Sequence, residues 1–151
     1  MVLRLFRLAN RDHPIGLLKM ALVNLTKDFI RQKFELGKMD CFRLVYDYLK
    51  KQMPLPEEFK GVTLDTYENL FNEKPEAARG LMVDFLKEYL NEIKPYEVTA
   101  GDIVVLNYNY SPFFLGIAVG NASVLLATES KGVDTFPLRY YKIVRAFRWP
   151  G

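Results

Sequence analysis

The sequence contains one cysteine and one histidine, the two residue types on which a cysteine-dependent hydrolase relies. Cys41 directly follows Asp40, and His13 stands between Asp12 and Pro14 near the start of the chain. A free thiol has a pKa of about 8.5, so it becomes an effective nucleophile only beside a base or at the N-terminus of a helix. Cys41 is therefore the candidate nucleophile, and His13 is the one imidazole of the chain that could activate it.

These residues also have structural interpretations, which we favour. A lone cysteine belongs to the most frequently buried residue types and packs as a small hydrophobe. Asp is a preferred N-cap residue, so Asp40 is predicted to cap a helix that begins near Cys41. His13 lies at a predicted helix start, where an exposed or capping role is common. Because one cysteine and one histidine do not make a zinc site, and the chain has no glycine-rich phosphate loop, we predict neither a metal nor a cofactor.

The elements that position these residues are helical in the first part of the chain and strand-rich in the last third. The spacing of apolar residues predicts a helix that starts at Asp12 and ends at Gly37, a second helix that ends before Pro54, and a short one over 66–71. A further helix is predicted to open at Pro75 and to present one core face. That face comprises Met82, Phe85, Leu86, Tyr89, Leu90 and Ile93.

From Ala100 onwards, short apolar runs alternate with turn residues, a texture that is typical of antiparallel strands. Five strands are predicted, over 103–106, 113–119, 123–128, 133–138 and 141–149. Residues 107–112, which are rich in Tyr and Asn, are predicted to form a loop. Since the helices must cover one face of the sheet, the predicted fold class is α+β, with N-terminal helices packed on a small C-terminal antiparallel sheet or half-barrel.

Length and composition limit the classes of protein to which the chain can belong. With 151 residues, half of them hydrophobic, it fits one domain over 1–151, divided into a helical part (12–94) and a strand-rich part (100–149). The formal net charge of +3 is too small to argue for nucleic acid by itself. A single cysteine excludes an intrachain disulfide. We find no secretion signal, and the longest apolar run, 113–119, is far shorter than a membrane helix.

Two parts of the chain resemble the NlpC-type peptidases of the papain-like cysteine peptidase superfamily. The first part is LGKMDC at 36–41, followed by Leu44 and Val45. The second part is GDIVVL at 101–106, followed by LGIAVGN at 115–121. The resemblance extends over about residues 37–128. It implies a papain-like fold of the NlpC type, in which the cysteine lies at the N-terminus of a helix.

The same resemblance indicates where the catalytic base should stand, and the base is missing there. In the NlpC pattern, the histidine lies two residues before the glycine of a His-Val-Gly-Ile segment, and the third catalytic group lies on the next strand. These positions correspond to Phe114 and Leu126, neither of which can accept a proton or orient an imidazole. The resemblance therefore implies that Cys41 is a vestigial nucleophile without its base.

A narrower resemblance connects the chain to small proteins encoded in the tail gene clusters of tailed bacteriophages. Those proteins carry an NlpC-like domain that looks degenerate at the active site. The resemblance rests on GD at 101–102, LGI at 115–117, GV at 132–133, FPL at 136–138 and AFR at 146–148. It implies a virion protein of the tail tip or tail hub, made in the host cytoplasm, with other tail proteins such as the distal tail as its partners. The leading hypothesis is therefore a non-catalytic structural protein of the tail.

Two alternatives stay open. Cys41 could be the nucleophile of a peptidase or amidase acting on peptidoglycan peptides, with His13 or a base from another chain completing the site. The basic and aromatic residues near the C-terminus could instead bind nucleic acid, although strand alternation favours basic side chains in solvent and aromatic ones in the core.

Arg, Tyr and Trp are also the residue types that are enriched at protein interfaces. The loop 107–113 and the C-terminal segment are therefore the predicted contact surfaces, and no membrane contact is predicted. The candidate contact residues are Tyr108, Tyr110, Phe113, Arg145, Arg148 and Trp149.

Overall fold

The computed structural model describes residues 27–108 and 111–150, without the side chains of Tyr108, Ser111 and Pro112. The fold class of this part is α+β, as predicted. Its helices are α1 (Cys41–Lys50), α2 (Tyr67–Glu73) and α3 (Pro75–Tyr89). Its strands are β1 (Glu58–Phe59), β2 (Val62–Thr63), β3 (Asn91–Ile93), β4 (Ile103–Tyr108), β5 (Ser111–Val119), β6 (Ser123–Thr128), β7 (Gly132–Pro137) and β8 (Lys142–Arg148). No helix in these two ranges is long and apolar enough to cross a bilayer.

Six strands form the main sheet, in the order β3-β8-β4-β5-β6-β7. Strands β4 to β7 follow one another as hairpins, and every neighbouring pair in the sheet is antiparallel. The last strand, β8, returns to lie between β3 and β4. The separate hairpin of β1 and β2 lies between α1 and α2 in the chain.

The sheet carries apolar side chains on both faces, which explains why its strands read as unbroken apolar runs. In β4, Ile103 and Val105 belong to the core between the sheet and the helices, which we call the first core. The alternate residues Val104 and Leu106 belong to a second core on the opposite face. Both faces of β4 are therefore buried. Successive side chains of the strand point to opposite faces of the sheet, so they alternate between the two cores.

The first core fixes α1 on the sheet. The helix contacts β5 and β6 and buries one face of its amphipathic sequence. The buried residues are Phe42, Leu44, Val45, Tyr46, Tyr48 and Leu49. Each fully buried apolar side chain of this size stabilises the fold by about 1.5–3 kcal/mol relative to exposure. Phe85 of α3 packs edge-on against Phe42, with ring centroids 5.6 Å apart, and so joins α3 to α1.

The second core leaves no room for a side chain at Gly116 of β5. A Cβ atom at this position would lie 2.6 Å from Cδ2 of Leu126 and 2.7 Å from Cγ2 of Val124. Real Cβ contacts are longer than this, so an added methyl group requires its neighbours to move. The glycine therefore allows β6 to fill this face with branched side chains.

The predicted end of the first helix at Gly37 is wrong. From Asp28 the chain forms turns, and Phe29 is buried within them rather than on a helix. Gly37 instead belongs to a tight turn between Glu35 and Met39, whose backbones exchange two hydrogen bonds. Its φ of 84° lies in the left-handed region that favours glycine. The earlier part of this predicted helix lies outside the described residues.

Two further boundaries differ from the prediction. Helix α3 ends at Tyr89, so Ile93 is not on its core face: it lies in β3, pairs with β8 and packs against the second core. The predicted loop 107–112 is strand on both sides of residues 109–110, because β4 and β5 pair up to that point. At β3 pairing with the distant β8 outweighs the local pattern, and at 107–112 the pairing of two adjacent strands does so. The remaining predicted helices and strands are confirmed to within a few residues of their ends.

Replacing Gly116 by Ala is expected to lower the free energy of unfolding by about 1–3 kcal/mol, because the methyl group overpacks the second core. Gly80 of α3 offers a matched control, since nothing lies within 4 Å of a Cβ atom there. Gly80→Ala is expected to stabilise the chain by about 0.5–1 kcal/mol through helix propensity. Urea unfolding of the two variants measures both effects, and an unchanged midpoint for Gly116→Ala would show that the second core has spare room.

Candidate functional site

Cys41 lies on the wall of a cleft of about 900 Å³ between the helices and the strands β5, β6 and β7. Seven of the eighteen residues that line it carry aromatic rings. The rings belong to Phe34, Phe71, Phe113, Phe114, Phe136, Tyr140 and Tyr141. The polar part of the wall comprises Asp40, Asn72, Arg79, Thr128, Glu129, Ser130 and Lys131. Such a lining, largely apolar with a few polar groups, is typical of a binding site.

Cys41 is the first residue of α1, so its thiol stands where a helix presents unpaired N–H groups. Burial of the thiol is nevertheless the largest influence on its ionisation and raises the pKa of Cys41 to about 11, with a further rise from the Asp40 carboxylate. A backbone hydrogen bond from Leu115 of β5 acts against this rise without offsetting it. At pH 7, roughly one thiol in ten thousand is then ionised. Cys41 is held as a neutral thiol.

Asp40 is buried and is the N-cap of α1, as predicted. One carboxylate oxygen accepts the N–H of Arg43 at 2.8 Å, and the other accepts the N–H of Gly37 at 2.8 Å. The second oxygen also accepts the phenol O–H of Tyr67 at 2.6 Å. A buried charge requires such partners, and these three fix the turn that precedes Cys41. These contacts give Asp40 a structural role, as the cap that fixes the start of α1.

Tyr67 is a residue of this arrangement that sequence reasoning missed. It is buried at the start of α2 and donates to Asp40 across 27 positions of the chain. Burial, followed by the neighbouring Asp40 carboxylate, raises the pKa of Tyr67, so the phenol stays protonated and remains a donor. No spacing or periodicity in the sequence connects the two residues.

The positions that the resemblance assigns to the base and to the third catalytic group both belong to the second core. Phe114 also lines the cleft and packs edge-on against Tyr141, with 6.5 Å between ring centroids. Leu126 is fully buried and contributes nothing to the cleft wall. Among the described residues no histidine lines the cleft, and no group of acidic, His and Cys side chains could hold a metal ion. His13 lies outside the described residues.

Arg79 of α3 is a second residue of the cleft that the sequence did not reveal. Its Nη1 donates to the carboxylate of Glu76 at 2.7 Å, and its guanidinium lies 5.7 Å from the ring centroid of Phe71. Its Nε is shielded from solvent and has no hydrogen-bond partner in the part of the chain that the structure describes. On a helix rich in charged residues, nothing marks this arginine as part of a cleft.

Two of the predicted contact residues are engaged within the chain. Arg145 donates through two nitrogens to Glu92, at 2.9 and 2.8 Å, and this lowers the pKa of the carboxyl. Arg148 donates through two nitrogens to the buried Asp102, at 3.0 and 2.8 Å. Bidentate pairs between a guanidinium and a carboxylate stabilise the fold where β8 meets β3 and the start of β4. These arginines are therefore positioned by partners within the chain.

The other predicted contact residues are separated in the structure. Phe113 lies on the cleft wall, whereas Trp149 packs, half-buried, against the first core. The backbone of Tyr108 ends β4, and the structure does not describe its side chain. Tyr110 lies outside the described residues. Among the predicted contact residues whose side chains the structure describes, Phe113 is the one that lines the cleft.

Tyr67→Phe is expected to lower the free energy of unfolding by about 1.5–3 kcal/mol, because the buried Asp40 carboxylate loses a charge-assisted hydrogen bond. Tyr46→Phe is the matched control, since its phenol donates to the neutral carbonyl of Pro56 at 3.0 Å. We expect that control to lose about 0.5–1.5 kcal/mol. Urea denaturation compares the variants, and a loss for Tyr67→Phe no larger than for Tyr46→Phe would contradict the role given to Asp40.

Comparison with known proteins assigns the chain to a family. No curated protein sequence matches it. A family profile described as "Domain of unknown function (DUF6950)" matches residues 18–149, which is most of the chain. The chain therefore belongs to the DUF6950 family.

Proposed function

We propose that this chain is a non-catalytic assembly protein built on a degenerate NlpC-like fold, and that it serves in the tail of a tailed bacteriophage, at the tail tip or tail hub. The non-catalytic part rests on one observation, the environment of Cys41. Burial raises the pKa of this thiol to about 11, and Phe114, the residue that the resemblance aligns with the base, lines the cleft with a ring that cannot accept a proton. The tail assignment rests on the resemblance to proteins of phage tail gene clusters.

The polar groups of the cleft do not replace the missing base. A general base must come within about 2.6–3.2 Å of the proton donor. Asp40 accepts three hydrogen bonds from within the chain, and they hold its carboxylate as the cap of α1. Arg79 and Lys131 are already protonated cations, and Glu129 lies on the exposed turn after β6. The cleft is therefore better suited to binding than to hydrolysis.

The rings of the wall give the cleft its affinity for a partner. Burying one large apolar side chain contributes about 1.5–3 kcal/mol, and a ring-lined cleft can receive more than one. Protein interfaces concentrate their binding energy in such pockets, where aromatic side chains exclude water from the contact. A partner chain that inserts apolar side chains here is stabilised without any reaction at Cys41.

The outer edge of β7 argues that a partner docks through side chains rather than by adding a strand. The N–H of Val133 donates to Gln32 and its carbonyl accepts from Arg31, both at 2.8 Å, so this part of the edge is paired. Farther along, the Asp134 carboxylate accepts the N–H of Thr135 at 2.8 Å. A final proline in β7 has no N–H to offer. Protected edges of this kind resist strand addition.

The nucleic-acid alternative loses support from the same contacts. Arg145 and Arg148 belong to the basic group near the C-terminus, and each is neutralised by a carboxylate of the chain. Nucleic-acid binding depends on cations that are free to meet phosphates. Arg139 stacks on the ring of Tyr140 at the cleft instead, 4.9 Å from its centroid.

Expression of the tail gene cluster with variants of this chain tests the proposal. Cys41→Ala is expected to enter purified tails and to support infection at the wild-type level, because the thiol takes part in no reaction. Ser130→Trp places a ring in the cleft from its rim and is expected to reduce incorporation by about tenfold or more. Glu88→Trp, on the exposed side of α3, is the matched control and should be neutral.

Two results would contradict the proposal in different ways. If Cys41→Ala tails assemble normally but do not infect, the chain acts as a cysteine peptidase or amidase, with a base that comes from His13 or from another chain. If the wild-type chain is absent from purified tails, the tail assignment is wrong. Particle composition by mass spectrometry and plaque titre separate the two.

A further inference from the structure

Arg79 brings an incompletely paired guanidinium to the wall of the cleft. Within the described residues, Nη1 is the nitrogen that has an acceptor, the carboxylate of Glu76. The Glu76 side chain is 86% exposed, so solvent screens this ion pair and makes it weak. The Nε atom is shielded from solvent and unpaired, which is an unfavourable state for a charged donor.

A carboxylate is the ligand group that completes this arrangement best. Its two oxygens match two donors on one edge of the planar guanidinium, whereas a neutral carbonyl satisfies fewer donors and leaves the charge unpaired. Because Glu76 is exposed, releasing it costs little, and the guanidinium can then turn its Nε edge toward the cleft. The ring of Phe71 continues to support the cation from one face.

The other charged groups on the wall do not compete with Arg79 for the carboxylate of a ligand. Asp40 is held by three donors and is shielded by them. Glu129 and Lys131 lie two positions apart on the exposed turn after β6, where solvent screens both charges. Arg79 therefore sets the sign of the charge that the cleft prefers in a partner.

We infer that the cleft binds an extended segment of a partner protein in which a Glu or Asp side chain stands next to an aromatic or large aliphatic residue. The carboxylate pairs with Arg79, and the apolar neighbour packs among the rings beside Phe71 and Phe113. A volume of about 900 Å³ exceeds that of one side chain, so the cleft accommodates a continuous segment rather than a single group. This inference rests on the proposed binding function and adds the chemistry of the partner.

Titration of the full chain with two short peptides tests the inference. The probes are acetyl-Phe-Glu-amide and its neutral counterpart acetyl-Phe-Gln-amide, followed by NMR through the signals of Phe113 and Thr128. The acidic peptide is expected to bind about tenfold more tightly, because it forms a charge-assisted pair. Arg79→Gln should abolish the preference, and Arg79→Lys should keep only part of it, since an ammonium group lacks the planar fork.

Arg43→Gln is the matched control for the loss of a positive charge. Arg43 pairs with Asp47 on α1, and its side chain is 28% exposed, compared with 26% for Arg79. It does not line the cleft, so the preference for the acidic peptide should be unchanged in this variant.

Equal affinities for the two peptides, a preference that survives Arg79→Gln, or the absence of binding would each overturn the inference. A third probe, N-acetylphenylalanine, presents a terminal carboxylate. If it binds more tightly than acetyl-Phe-Glu-amide, the cleft recognises a chain terminus, which contradicts the side-chain carboxylate. None of these results changes the outcome expected for Cys41→Ala, so the inference can fail while the non-catalytic function stands.

Discussion

The buried carboxylate of Asp40 is the interaction on which the rest of the site depends. It collects one donor from the turn at Gly37, one from the first turn of α1 and one from Tyr67 of α2, so a single charge joins three segments. An unpaired charge at this depth is strongly unfavourable, so each of these donors stabilises the fold. The turn at Gly37 presents its N–H to Asp40, and its φ of 84° lies in the left-handed region that favours glycine. Together these contacts start α1 at Cys41 and set its thiol against β5.

At the thiol, two effects compete, and their relative size determines what the cleft can do. Burial opposes the thiolate, whereas the helix N-terminus and the backbone of Leu115 favour it, and burial is the stronger. A phenyl ring stands at position 114, where the resemblance places the base, and it cannot accept a proton. The apolar lining makes the cleft a favourable place to bury the side chains of another protein.

The sequence was informative where structure is local. Asp40 before an amphipathic run predicted a capped helix, and apolar runs between turn residues predicted most strands of the sheet. It could not reveal contacts that only the tertiary fold creates. Tyr67 meets Asp40 across many residues, and β3 exists because β8 returns to pair with it, so a local pattern extended α3 too far. Arg148 looked like a contact residue because its partner, Asp102, is distant in the chain. Nothing in the sequence indicated that Arg79 lines a cleft, because exposed and cleft-lining arginines occur in the same helical pattern.

Titration of the Cys41 thiol is the measurement that tests most directly whether the cleft is inert. Thiolate absorbance of the native chain, corrected with Cys41→Ala, gives the pKa of this one group. We expect a single transition with a midpoint near 11, well above that of a free thiol. A midpoint below about 8.5, or a first transition in the range where an imidazole titrates, would mean that a base lies beside the sulfur and would contradict a non-catalytic cleft.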